Sequence, residues 1–85
     1  MKVRTLTLIA VAVLAAAQSA KPSRIVSLVP AVTEMLYAIG AAGEVAGVSS
    51  YDHFPPEVAA KPRVGALLDP DFERILSLKP DLVIV

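Results

Sequence analysis

The chain contains 85 residues, with 8 basic and 8 acidic side chains and no cysteine. The lack of cysteine excludes a disulfide framework and a thiolate metal site. The balanced charge provides no basic surface for nucleic acid, so we expect no nucleic-acid partner.

The first predicted element, residues 1–20, is a signal peptide. Two basic residues, Lys2 and Arg4, precede an almost wholly apolar run and then small residues. We expect cleavage after Ala17 or at residues 19–20. The apolar run of about 12 residues is shorter than the roughly 20 that cross a bilayer, and no lipid-attachment cysteine follows it. We therefore expect a periplasmic protein that is released after cleavage.

The second predicted unit, residues 21–85, is short for an independent domain. A unit of about 60 residues buries only a thin core, and this one has no disulfide to support it. Residues 81–85, with the sequence DLVIV, are typical of a central strand, and the sequence ends there. We therefore expect residues 21–85 to be a partial N-terminal lobe of a larger protein.

The first half of this unit predicts a strand, a helix and a second strand. Residues 25–29 are rich in branched apolar side chains, which favours a strand buried on both faces. Pro30 suits the first turn of a helix. The predicted buried face of this helix consists of Val32, Met35, Leu36 and Ile39. Gly40 and Gly43 end the helix, and residues 45–48 form the second strand.

The second half predicts a loop, a helix and a third strand. Residues 53–63 contain three prolines and predict a loop with at most one helical turn. Residues 69–71, Asp-Pro-Asp, are typical of a helix start, because aspartate accepts the free amides and proline fits the first turn. The predicted buried face of this helix consists of Phe72, Ile75 and Leu76. Lys79 and Pro80 end it, and residues 81–85 form the third strand.

Strands and helices therefore alternate in the order βαβαβ. This order predicts an α/β fold, with a parallel sheet, flanking helices and right-handed crossovers. In an open parallel sheet, ligands bind beyond the carboxyl ends of the strands. Those ends lead into residues 29–33 and 49–53, so we expect a binding crevice between these two segments.

Few residues in these segments support chemistry other than binding. Residues 30–33 begin a helix, and the free backbone N–H groups of this segment favour anionic or polar ligand groups. The alternative is that these N–H groups bind only water. Tyr51 can lay its ring against a flat ligand. His53 has no partner at metal-ligand spacing, so no metal site is predicted. With one histidine and no GxSxG elbow, we predict no catalytic residue and no cofactor.

Three ordered segments carry a recognisable pattern: RIVSLVPAVTEMLYAIG, VAGVSSYDHFPPE and VGALLDPDFERILSLKPDLVIV. Together they resemble the N-terminal lobe of the cobalamin- and iron-siderophore-type periplasmic binding proteins of ABC importers. Within that family the chain is most similar to the cobalamin-binding members. The resemblance implies two α/β lobes, a small-molecule ligand held between them, and docking onto an ABC permease in the inner membrane.

The resemblance also implies roles for particular residues. Tyr51 matches an aromatic residue that packs against the corrin ring in cobalamin-binding members. Glu73 matches an acidic residue that docks onto permease arginines, and as a residue of a first helical turn it also compensates the helix dipole. The ligand-binding set that we predict is Pro30, Ala31, Thr33, Ser50, Tyr51 and Leu67.

Two departures from the family pattern bear on the ligand. Leu67 occupies the place where cobalamin-type sequences often have tryptophan, and Ala66 occupies the place of the tyrosine ligand of haem-binding members. The resemblance therefore implies that the protein captures a corrinoid (cobalamin) or a related metal chelate rather than haem. We also expect a monomer. The alternatives are a ferric-siderophore binding protein, a lobe of a metallocofactor enzyme, and a truncated product that does not fold.

Overall fold

The computed structural model describes residues 21–85. The predicted signal peptide, residues 1–20, lies outside the described residues. Neither α-helix of the described segment is long and apolar enough to cross a membrane.

The central strand, β1 (Ile25–Ser27), is buried at all three positions. This burial confirms the prediction of a strand covered on both faces. The strand ends two residues earlier than predicted, since the carbonyl of Val29 accepts hydrogen bonds from the amides of Val32 and Thr33, both at 3.0 Å, and therefore belongs to the start of the following helix.

The helix α1 (Pro30–Ala38) begins at the predicted proline. It ends before Gly40, whose positive φ of 84° is a conformation that residues with a side chain rarely adopt. The predicted start and end of this helix are therefore confirmed.

The buried face of α1 differs from the predicted one. Met35 and Ile39 are 62% and 77% exposed, and Thr33 is the fully buried residue of the helix. The helix packs through Thr33 and the half-buried Leu36 and Tyr37, which lie on one side at helical spacing. Of the predicted face, Val32 and Leu36 are half-buried. The prediction was wrong for Met35 and Ile39, because polar contacts of Thr33, described below, fix the rotation of the helix on the sheet.

The sheet is parallel, as predicted, and its order is β2-β1-β5, with β2 at Val45–Val48 and β5 at Leu82–Ile84. In the described residues β5 lies at the edge of this sheet, with Leu82 and Val83 partly exposed. The prediction of a central strand concerns the larger protein and stays a prediction. β1 is the central strand of this sheet and pairs with β2 on one side and β5 on the other.

An antiparallel hairpin that the sequence did not predict follows the loop. Its strands are β3 (Gly65–Ala66) and β4 (Asp69–Pro70). The predicted helix start at residues 69–71 is thus correct only for Asp71, which caps α2 (Phe72–Ser77) by accepting a hydrogen bond from Arg74 N at 3.0 Å. The hairpin takes residues 69 and 70 because Gly65, at a φ of 87°, lets the two strands approach closely.

The helix α2 contributes one buried residue, Ile75, and not the predicted three. Phe72 and Leu76 are exposed, and the further apolar contact with the core comes from Leu78, directly after the helix. Ile75 belongs to a core cluster with Val26, Leu28 and Val64. Leu78 packs against this cluster.

The loop between β2 and β3 contains one short 3₁₀ helix, Pro56–Ala60. Its Val58 is buried and attaches the loop to the rest of the molecule. The prediction of a loop is confirmed, although this 3₁₀ helix of five residues is longer than the predicted single turn.

Candidate ligand-binding site

A concave groove of about 380 Å³ lies at the carboxyl ends of β1 and β2. It is bounded by the segment after β1, the segment after β2 and the tip of the β3–β4 hairpin. Its lining residues are Leu28, Val29, Pro30, Ser49, Tyr51, Ala66, Leu67, Leu68 and Asp69. The groove therefore lies where an open parallel sheet binds its ligand.

Three of the six predicted ligand-binding residues line this groove: Pro30, Tyr51 and Leu67. Ala31 instead borders a separate, shallow concavity next to Met35 and Phe54. Ser50 is exposed beside the groove, and its amide donates a hydrogen bond to the carbonyl of Gly65 at 2.7 Å.

Thr33, the sixth predicted residue, is completely buried and offers no surface to a ligand in this structure. Its hydroxyl lies 2.8 Å from Ser27 Oγ and 3.2 Å from Asp52 Oδ2. Thr33 thus joins β1, α1 and the loop after β2, and the position of the groove walls depends on it.

Tyr51 is the large aromatic side chain of the groove and is 70% exposed. Its amide donates a hydrogen bond to Ser49 Oγ at 3.0 Å, which fixes its backbone in a tight turn. A fixed backbone and an accessible ring suit a flat ligand, because an aromatic face gains contact area while it loses little conformational freedom.

The turn that presents Tyr51 is held by the buried carboxylate of Asp52. Asp52 Oδ2 accepts a hydrogen bond from Ser49 N at 2.8 Å in addition to its contact with Thr33. The amide of Asp52 in turn donates to the carbonyl of Ser49 at 3.1 Å. Hydrogen bonds to a carboxylate are among the stronger ones in proteins, so this turn is rigid before a ligand arrives.

Arg63 supports the same turn from the other side. Its Nη1 donates to the carbonyl oxygens of Ser49 and Asp52, at 3.0 and 2.8 Å. Val48 pairs with Arg63 in an isolated parallel bridge, which brings the guanidinium to this place. Sequence reasoning missed Arg63, since a lone arginine in a proline-rich loop gives no signal of such a role.

Two buried polar atoms close to this network have no hydrogen-bond partner among the described residues: Asp52 Oδ1 and the hydroxyl of Tyr37. Burial, followed by the negative charges of Glu57 and Asp52, raises the pKa of the Tyr37 phenol above its ordinary value of 10.0. Tyr37 is therefore neutral at physiological pH.

The hairpin tip was also missed by sequence reasoning, apart from Leu67. Leu68 is 97% exposed and lines the groove together with Ala66 and Asp69. Two-residue strands show no periodicity, so the pattern around Gly65 and Pro70 was assigned to a loop and a helix start. The available signal was the pair of leucines between a glycine and a proline, which is unusual for a solvent-exposed turn.

Glu73, the predicted docking residue, is exposed in the first turn of α2. It does not line the groove. His53 is also exposed. Within residues 21–85, no group of three histidine, aspartate or glutamate side chains is close enough to hold a metal ion.

A family profile described as periplasmic binding protein matches residues 25–85. A vitamin B12-binding protein of Pectobacterium carotovorum subsp. carotovorum (strain PC1) is 41% identical over 71 residues, which cover 84% of this chain and 26% of that protein. An uncharacterized ABC transporter substrate-binding lipoprotein of Bacillus subtilis (strain 168), YvrC, is 44% identical over 64 residues, 75% of this chain and 20% of that protein. The chain thus spans about a quarter of the length of the curated relatives it matches.

Solved structures show the same similarity. The periplasmic vitamin B12 binding protein BtuF of Vibrio cholerae superposes with a TM-score of 0.69 at 41% identity, covering 75% of this chain and 25% of that one. A periplasmic haem-binding protein of Pseudomonas aeruginosa superposes with a TM-score of 0.71 at 28% identity, covering 74% of this chain and 23% of that one. Both matches agree with the α/β fold predicted for residues 21–85.

Proposed function

Because this chain belongs to the periplasmic binding protein family, we propose that it forms part of the substrate-binding component of an ABC importer. In this proposal the protein captures a corrinoid such as cobalamin outside the cytoplasm and delivers it to a membrane permease. Residues 21–85 supply part of its N-terminal lobe. The family consists of solute-binding proteins, which are not enzymes, so no reaction is assigned to the groove.

The observation that carries the proposal is the apolar groove, which Tyr51 and Leu67 both line. A corrin ring is flat and largely apolar on its faces, and such a face gains free energy by covering aromatic and aliphatic side chains. The groove is open and small compared with a corrinoid, so it would contact one side of the ligand. The similarity to vitamin B12-binding proteins supports this ligand class.

Titration of the full-length protein with cyanocobalamin tests the proposal. We expect saturable binding in the micromolar range or tighter, measured as released heat or as quenching of tyrosine fluorescence. An absence of saturable binding at micromolar cyanocobalamin would overturn the corrinoid assignment.

Haem is a second candidate, favoured by the similarity to the haem-binding protein of Pseudomonas aeruginosa. Against it, Ala66 has a methyl group at the hairpin and offers no atom that could bind iron. Among the side chains that line the groove, the phenol of Tyr51 is the one that could serve as a ligand of haem iron. Titration with haemin, followed by the Soret band, separates the two candidates: if haem is the ligand, Tyr51→Phe shifts the band, and cyanocobalamin does not compete.

Export and permease docking are parts of the same proposal. The exposed Glu73 would face a basic surface of the permease, as the resemblance implies. The similarity to a substrate-binding lipoprotein and to periplasmic proteins supports a site of action outside the cytoplasm. Growth of a deletion strain on cobalamin as the limiting nutrient, with and without the gene restored, tests the transport role.

A further inference from the structure

One charged side chain lies at the groove, and the hairpin determines which way it points. In the β3–β4 hairpin, Asp69 pairs directly with Ala66. Residues that are directly opposite in an antiparallel pair project from the same face. Both residues line the groove, so the hairpin places the exposed Asp69 side chain at the rim of the groove.

No basic residue balances this charge at the groove. Of the residues that line it, Asp69 is the one with an acidic side chain, and the others are apolar except for Ser49 and Tyr51. Within residues 21–85, the Asp69 carboxylate takes part in no ion pair. Asp69 is exposed, so water partly screens its charge, and a ligand charge next to it would feel a moderate repulsion or attraction.

We propose that Asp69 is a specificity-determining residue, which makes the groove prefer ligands with neutral amide or cationic edge groups to ligands of the same shape with carboxylates. This inference rests on the proposed function, because it assumes that a ring-shaped ligand occupies the groove. Amide N–H groups at the ligand edge donate hydrogen bonds to the Asp69 carboxylate, whereas a carboxylate at the same place is repelled and loses water without gaining a partner. The side chain thus selects between chemical classes of ligand that the apolar surface alone would accept equally.

A pair of ligands that differ only in charge tests the inference. The probes are cyanocobalamin and its monocarboxylic acids, in which one propionamide is replaced by a propionate. For the full-length wild-type protein we expect the amide form to bind about three- to tenfold more tightly, as expected for two like charges several ångströms apart in partly aqueous surroundings. Raising the salt concentration to about 1 M should reduce this ratio, because the interaction is screened over roughly 3 Å.

Asp69→Asn removes the charge with almost no change of shape and should bring the ratio of the two dissociation constants close to one. Glu57→Gln is the matched control, since Glu57 is an exposed acid that does not line the groove, and it should keep the wild-type ratio. An unchanged ratio in Asp69→Asn, with both ligands still bound, overturns the inference and leaves the proposed function intact.

The salt titration of the wild-type protein decides the question independently if Asp69→Asn does not fold. A ratio that does not depend on salt overturns the inference. A lack of any saturable binding of cyanocobalamin overturns the proposed corrinoid function together with the inference.

Discussion

The hydroxyl of Thr33 lies 3.2 Å from the carboxylate of Asp52, and both side chains are almost completely buried. This contact joins the first half of α1 to the loop that follows β2. Both segments contribute to the lining of the groove, through Pro30 and Tyr51, so the contact holds these two parts of the lining together. In the proposed function, the ligand would not have to order this surface, which would reduce the cost of binding.

The coupling between these two residues can be measured by a double-mutant cycle. Thr33→Val and Asp52→Ala each remove one partner, and we expect each to lower the free energy of unfolding by about 1–3 kcal/mol. The double variant should be less destabilised than the sum, with a coupling energy of about 0.5–3 kcal/mol. Urea denaturation of the full-length protein provides the measurement. The control pair is Thr33→Val with the distant Asp81→Asn, whose changes in the free energy of unfolding should add. Additive changes in the pair Thr33→Val and Asp52→Ala would contradict the network.

The hairpin depends on the backbone conformation of Gly65. A Cβ atom at this position would lie 2.5 Å from the carbonyl oxygen of Asp69, and the φ of 87° is unfavourable for alanine. We expect Gly65→Ala to lower the free energy of unfolding by about 1–3 kcal/mol and to weaken ligand binding, because the hairpin carries Leu67. Gly43→Ala is the control, since a Cβ there has no neighbour within 4 Å. Equal stability of the two variants, measured by thermal unfolding, would show that the close approach is not needed.

Tyr51 should affect binding and not stability. Its ring is mostly exposed, so Tyr51→Ala is expected to change the free energy of unfolding by less than about 0.5 kcal/mol. Loss of the ring surface should raise the dissociation constant for cyanocobalamin roughly tenfold, and Tyr51→Phe should keep the affinity within about threefold. Phe54→Ala removes an exposed aromatic ring that does not line the groove, and calorimetry should find its affinity unchanged. An equal effect of the two alanine variants would exclude a specific role of Tyr51.

Charge reversal at Glu73 should separate transport from binding. Glu73 is exposed on α2 and does not line the groove, so Glu73→Arg should leave the affinity for cyanocobalamin nearly unchanged. Uptake of labelled cobalamin by cells should fall severalfold, because a basic docking surface would repel the new charge. Glu57→Arg places the same change on a different exposed loop and should leave uptake intact. A parallel loss of affinity and uptake in Glu73→Arg would refute the docking role.

The start of the sheet should be sensitive to acid through Asp81. Hydrogen bonds from the backbone amides of Ser23 and Arg24, and from the Ser23 hydroxyl, hold the pKa of this carboxyl below its ordinary value of 3.8. A lowered pKa in the folded state means that the stabilisation is present above pH 3.8 and is lost as the pH falls below it. We expect the unfolding temperature of Asp81→Asn to be lower than that of the wild-type protein at pH 7, and the difference to shrink below pH 3.8. A constant difference across that range would contradict this role of the ionised carboxylate.

The sequence predicted the three parallel strands and both helices because their apolar runs, Pro30 and the capping Asp71 act locally. It did not predict which residues of the helices are buried, since that depends on contacts between segments far apart in the chain. Thr33 is the clearest case. A polar residue at the start of a helix next to a crevice favours a ligand contact, yet the structure buries it against Ser27 and Asp52.

One signal of this network was present in the sequence. Ser27 interrupts a run of branched apolar residues in a strand predicted to be buried on both faces, so its hydroxyl required a buried partner. The hairpin, in contrast, left no periodic pattern. Its two-residue strands are stabilised by pairing with each other and by a hydrogen bond from Asp71 N to the carbonyl of Val64 at 2.8 Å.

The two-residue tip of the hairpin has a consequence for how such a protein can evolve. Leu67 and Leu68 are exposed, and neither belongs to the hydrophobic core. Substitutions there change the surface that a ligand meets while the sheet and its polar supports keep their stability. In the proposed function, substitutions at these two positions would therefore alter ligand preference without a compensating stabilising change elsewhere.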